Sequence, residues 1–227
     1  MTTLFGLRHP EIEAAILVAN KQLTASDSQT GFPIRKYAGR KLWIAKSRDY
    51  CFGHSGLRDD KTEGFIYRLI NGEYDIYRII EKKYFPELRK FNIERMGKEL
   101  PDVNNMSSFL LATRFDKKPA LYTCFPLGSV QERNWTAIGS RFPRIKEYID
   151  ALKVLSEAED YSKKGNKLNL PTLIRICLEA VRRAQSQDLY SSGLDMMVCT
   201  PEGINDHFTE LNEDFETKLK RIQRRYR

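Results

Sequence analysis

Thr2-Thr3-Leu4-Phe5-Gly6-Leu7-Arg8-His9-Pro10-Glu11-Ile12-Glu13-Ala14-Ala15-Ile16-Leu17-Val18-Ala19-Asn20 holds two short apolar runs, 3–8 and 14–19, on either side of His9-Pro10-Glu11. Each run has the length of a strand, and a proline among polar residues is turn chemistry. The stretch therefore predicts two strands joined by a turn.

Working outward, residues 24–33 are rich in Ser, Thr, Gly and Pro and predict a loop. Leu42-Trp43-Ile44-Ala45 and Tyr50-Cys51-Phe52-Gly53 predict two further strands around the polar Lys46-Ser47-Arg48-Asp49. Residues 60–97 change period. Phe65, Leu69, Ile76, Ile79 and Ile80 recur near helical spacing, with Gly72 as an interruption and Pro86 as a helix boundary or first-turn residue. Strands are expected again at 107–114, 118–125 and 131–138, with turns at Asp116-Lys117-Lys118-Pro119 and Leu127-Gly128-Ser129. A helix over about 142–158 follows. Another starts at Pro171, with Ile174, Leu178, Val181 and Ala184 as its apolar face. Met196–Cys199 is a strand, Pro201-Glu202-Gly203 a turn, and the chain from about 210 is helical.

Strands, two helices, strands, two helices, strands is a segregated order, which predicts an α+β fold rather than alternating βαβ units. Two sheets packed on each other with helices outside would use every element. The whole of 1–227 reads as one domain with a basic C-terminal helical tail at about 210–227.

At 227 residues, 41% hydrophobic and 30% charged, the chain can build a sizeable core. No apolar run approaches the ~18 residues of a membrane helix, and the start lacks the pattern of a secretory signal, so a cytoplasmic protein with no membrane partner is expected. Cys51, Cys124, Cys177 and Cys199 stand apart among apolar neighbours and read as buried hydrophobes. The net charge of +8 favours acidic partners. However, Lys218, Lys220, Arg221, Arg224, Arg225 and Arg227 gather the excess in the last ten residues, where a basic final turn complements the helix dipole. Nucleic-acid binding is the weaker reading, since no RNP1, zinc-finger or Gly-rich phosphate motif accompanies the charge. No spacing of His, Asp or Glu suggests a metal, and no cofactor is expected.

Further segments complete a pattern. They are Val18-Ala19-Asn20-Lys21-Gln22-Leu23-Thr24, Gly39-Arg40-Lys41-Leu42, Ala137-Ile138-Gly139-Ser140, Ala184-Gln185-Ser186-Gln187-Asp188-Leu189-Tyr190-Ser191-Ser192-Gly193 with Asp195 following, and Thr200-Pro201-Glu202-Gly203. In this order and behind Thr2-Thr3, the chain resembles the proteasome β-subunit family of N-terminal nucleophile hydrolases. The resemblance implies a four-layer αββα sandwich, threonine peptidase activity on peptide or protein substrates, and assembly into a homo-oligomer, of which a ring is the family's form.

By position, Thr2 resembles the family's nucleophile, exposed once Met1 is removed. Lys41 resembles the lysine beside it, and Ser140 the serine near the terminal amine. Asp188 and Ser191 resemble the pair that supports that amine, and Gly53 the glycine whose N–H faces the oxyanion. Asn20 stands where the family has an acid, and Arg141 where it has glycine. A threonine hydroxyl needs a base, and its own α-amine, with a reference pKa near 8, can serve. A backbone N–H at the tetrahedral oxyanion is typically worth ~3 kcal/mol. Asn20 can accept a hydrogen bond from Lys41 but offers it no charge. His54, next to Gly53, is expected to be a wall residue; His9 and His207 are expected at the surface. Water would release the acyl-enzyme, as in a peptidase or amidase, and an amine in its place would make the same residues a transpeptidase. A catalytically degenerate structural member is the reading that Asn20 favours.

Overall fold

The computed structural model describes residues 3–20, 22–26, 33–96, 106–139, 169–185, 194–207 and 224. The chain opens with β1 (Thr3–His9), a 3-10 turn at Pro10–Ile12 and β2 (Ala14–Asn20). Then come β3 (Gln22–Ser26), β4 (Pro33–Ala38), β5 (Leu42–Ile44) and β6 (Tyr50–Ser55). Helices α1 (Asp60–Asn71), α2 (Ile76–Glu81) and α3 (Pro86–Met96) follow. Strands return as β7 (Ser108–Thr113), β8 (Ala120–Cys124), β9 (Val130–Glu132) and β10 (Trp135–Gly139). Helix α4 (Leu170–Gln185), β11 (Leu194–Thr200) and β12 (Gly203–Asp206) complete the described elements.

Two five-stranded antiparallel sheets result, one in the order β10-β1-β2-β11-β12 and one in the order β5-β6-β7-β8-β9. The period of two along each strand sorts side chains into layers. Leu4, Leu17 and Met197 of the first sheet meet Leu42, Leu110 and Leu121 of the second. Their neighbours Phe5, Ile16, Val18 and Met196 face the other way, onto Ile174, Cys177 and Val181 of α4. Phe52, Phe109 and Leu111 on the outer face of the second sheet receive Phe65, Leu69, Ile79 and Leu88 of α1–α3. The layers are thus helix, sheet, sheet, helix, in an α+β architecture. Full burial of each Leu or Phe contributes roughly 2–3 kcal/mol against its exposure. β2 is buried along its whole length because the inter-sheet core covers one face and α4 the other.

The helix ends follow from their residues. The Asp59 carboxylate accepts the N–H of Thr62 at 2.8 Å and caps α1. Gly72 closes that helix at φ 73°, a left-handed conformation that glycine adopts without strain. Pro86 takes the first position of α3, where no N–H is needed.

Several expectations are corrected. Of the loop expected over 24–33, Thr24, Ala25, Ser26 and Pro33 are instead strand residues, in the pairing of Gln22–Ser26 with Pro33–Ala38, and 27–32 lie outside the described residues. Pairing is made by the backbone, and Pro33 is admitted as the first residue of a strand. The strand expected over 131–138 is two strands in different sheets. Arg133 N–H donates to the carbonyl of Leu121 in the second sheet, and Asn134 C=O accepts from Arg8 N–H in the first. The chain changes sheets at that dipeptide. β12 extends beyond the expected turn and pairs with β11. His207 is buried rather than at the surface, and His9 is partly buried. The helices expected over 142–158 and from 210 lie outside the described residues, except Arg224, which is helical. All four cysteines are buried free thiols, and burial pushes each of their pKa values up. Among the described residues no helix is long and apolar enough to cross a membrane.

Candidate functional site

The strand register gathers one end of the first sheet. Thr3 pairs with Gly139, Leu4 with Ala19, and Asn20 with Leu194. Thr3, Gly139 and Leu194 are the sequence neighbours of Thr2, Ser140 and Gly193. Thr2, Ser140, Asp188 and Ser191 themselves, and Arg141, lie outside the described residues.

Asn20 is the hub. Its Oδ1 accepts the backbone N–H of Thr3 at 2.9 Å and the Nζ of Lys41 at 2.8 Å. A carbonyl oxygen has two lone pairs, so one amide side chain can hold both donors. Both side chains are buried, Asn20 at 3% and Lys41 at 2% exposure. Lys41 comes from the other sheet, one residue before β5, so this contact bridges the two sheets at the residue after Thr2.

The surroundings of Lys41 disfavour its charge. Burial first, and the Arg58 guanidinium second, push its pKa down to about 7. Arg58 was not anticipated from the sequence. It donates from Nη1 to the carbonyl of Arg40 at 2.7 Å, pairs with Glu63, and lies over the Trp43 ring at 5.3 Å. Arg40 in turn pairs with Asp206 and donates to the carbonyl of Leu42 at 2.6 Å. The segment carrying Lys41 is thereby fixed on both sides. No sequence motif marks Arg58. Only its place three residues after Ser55, at the end of β6, brings it back toward β5.

Gly53 lies in β6 opposite Leu42, one pair beyond Lys41. A methyl group in place of its α-hydrogen would stand 2.6 Å from both terminal carbons of Leu4 and 2.8 Å from one of Leu42. Close packing between the sheets is thus a reason for glycine there, alongside the oxyanion role the resemblance implies. His54 is buried with its ring 5.0 Å from that of Phe109, on the helix side of β6 and away from the face that Gly53 turns to Leu4 and Leu42. Asp195 is also fully buried, in register with Ala19 on the neighbouring strand.

Chemically, the described part of the site offers an amine that exchanges its proton near neutrality, held by an uncharged acceptor. Such a group can take a proton from a hydroxyl and return it to a leaving amine. Among the described residues no group of three or more His, Cys, Asp or Glu side chains is gathered to hold a metal ion. Compared with known proteins, the chain matches no family model and no curated sequence.

Proposed function

We propose that the chain is a threonine-dependent amide-bond hydrolase acting through an acyl-enzyme on Thr2. One observation carries the reading. Lys41 Nζ and the N–H of Thr3 converge on Asn20 Oδ1, which brings a near-neutral amine to the residue that follows Thr2. In the proposed reaction the Thr2 hydroxyl attacks a peptide carbonyl. Its proton passes to an amine, either the Thr2 α-amine or Lys41, and from there to the departing amine. Water then attacks the ester, the same base takes its proton, and the acid leaves as Thr2 Oγ is reprotonated. Amines with pKa values near 7–8 are matched to this shuttle, since each is partly unprotonated at working pH. The resemblance assigns Ser140, Asp188 and Ser191 to orienting the terminal amine and Gly53 N–H to the oxyanion.

An electrophile that esterifies threonine tests the proposal. Intact mass after treatment should rise by one adduct, mapped to Thr2, with Met1 absent from the labelled species. Thr2→Ala should lose the adduct and all peptide turnover while keeping the wild-type circular dichroism spectrum. Undiminished turnover by Thr2→Ala would remove the assignment.

A further inference from the structure

Behind the strand that carries Gly53 lies a set of buried polar groups that the proposed chemistry leaves unused. His54 on β6, Asn92 on α3 and Ser107 just before β7 are each nearly or fully buried. Asn92 is saturated. Its Nδ2 donates to the carbonyls of Ser107 and Pro126, both at 2.9 Å, and its Oδ1 accepts the N–H of Ser107 at 2.8 Å. Both backbone groups of Ser107 are therefore held by one side chain. The Ser107 hydroxyl and His54 Nε2 share a hydrogen bond of 3.0 Å.

An apolar trio would fill this space without any pairing requirement, and burying polar groups gains little net stability even when they are paired. The location gives the set a use. His54 stands across from Lys41, and its backbone N–H donates to the Lys41 carbonyl at 3.3 Å. The ring cannot turn without breaking its bond to Ser107, so the main chain under Lys41 is anchored from α3.

We propose that His54, clamped by Ser107 and Asn92, is a positioning residue that sets where Lys41 Nζ stands against Asn20, an inference that rests on Lys41 being the amine of the proposed site. The ring works by geometry rather than charge, because burial, then Arg58, Arg95 and Lys41, push its pKa down to about 3. Among the described residues, uncharged and charged groups both come near Lys41. Thr3 on β1 and Asn20 on β2 are uncharged, Arg58 precedes α1, and β11 brings Asp195 level with Ala19.

The test follows the Cε resonance of Lys41 in the full chain labelled with carbon-13 lysine, assigned with Lys41→Arg, against pH. Turnover of a fluorogenic peptide is measured in parallel. Ser107→Ala deletes only the hydroxyl and keeps the Asn92 bonds, so it stays folded even where His54→Leu does not. In both variants the Lys41 midpoint should rise by at least about half a unit as Nζ relaxes toward water. The kcat should fall about tenfold with KM unchanged. His54→Gln, whose amide nitrogen can take the place of Nε2, should restore both. A Lys41 titration identical in every variant, with only the melting temperature lowered, overturns the proposal and leaves the set a packing device. The titration needs no turnover. A shifted midpoint in a chain without peptidase activity sinks the proposed function and upholds the positioning role.

Discussion

Asn20 gives Lys41 a hydrogen bond but no counter-charge, and that difference decides when the lysine holds its proton. Asn20→Asp places a carboxylate at 2.8 Å from Nζ, and an opposite charge that close moves a pKa by ~1–3 units toward the charged form. The midpoint of Lys41, about 7 in the wild type, should therefore rise by at least about one unit. If Lys41 is the proton acceptor, the acidic limb of the pH–rate profile rises with it, while the plateau above the new midpoint keeps its height. A limb that stays put would assign the proton to the Thr2 amine instead. Lys41 also carries a stability cost. Its folded pKa lies below its unfolded value of 10.5, so between about 7 and 10.5 the unfolded chain binds the extra proton. The penalty is full below about 7 and vanishes above 10.5. Lys41→Met should thus abolish turnover and yet raise stability by roughly 1–3 kcal/mol at pH 6, with a smaller gain at pH 9. Thermal melts at the two pH values read both the sign and the trend.

At the scale of elements, two glycines make opposite predictions. Gly53→Ala forces a methyl onto Leu4 and Leu42, both fully buried, and should cost ~1–3 kcal/mol in urea unfolding. Gly64 lies within α1, where an added methyl group would meet nothing within 4 Å, so Gly64→Ala should stabilise by ~0.5–1 kcal/mol through helix propensity alone. The same contrast between packing and local preference explains which elements were legible in the sequence. β1 and β2 were legible because burial on both faces demands unbroken apolar runs, α1 and α2 because Phe65, Leu69, Ile76 and Ile79 repeat at helical spacing, and α3 through Pro86 at its first position. The β3–β4 hairpin was not, since backbone pairing left no apolar pattern in 24–33. Nor was the change of sheet at Arg133-Asn134, because both flanks are strand-like and only tertiary hydrogen bonds separate them. At the site, Asn20 and Lys41 were marked by the resemblance and their hydrogen bond was anticipated. Arg58 and the Asn92–Ser107–His54 set were hidden, because their partners lie 15 to 53 positions away along the chain or on another element.

For the whole molecule, net charge and exposed apolar surface pull association in opposite directions. Leu57, Tyr67, Tyr77 and Ile93 are exposed large side chains on or beside α1–α3, with Tyr67 at 62% and Tyr77 at 56%. A groove of about 390 Å³ between Trp43, Ile66, Tyr67 and Ile70 runs beside them. Burying such aromatic groups is a principal source of interface energy. Against it stands a net charge of +8 on every copy, a repulsion screened over ~8 Å at physiological salt. We therefore expect a homo-oligomer whose population grows with ionic strength, the reverse of an assembly held by ion pairs. A ring would need two different faces to match, because closed head-to-tail assemblies are heterologous. Light scattering at micromolar concentration should give a multiple of 26.5 kDa, increasing from low to moderate salt. Tyr67→Glu together with Tyr77→Glu should return the mass to a single subunit while keeping the wild-type circular dichroism spectrum, since both side chains are more than half exposed. A mass of 26.5 kDa at every salt concentration would mean that this helix face has no second copy to bury it. The proposed enzyme would then be free-standing, which favours a selective transferase or amidase over a chambered protease.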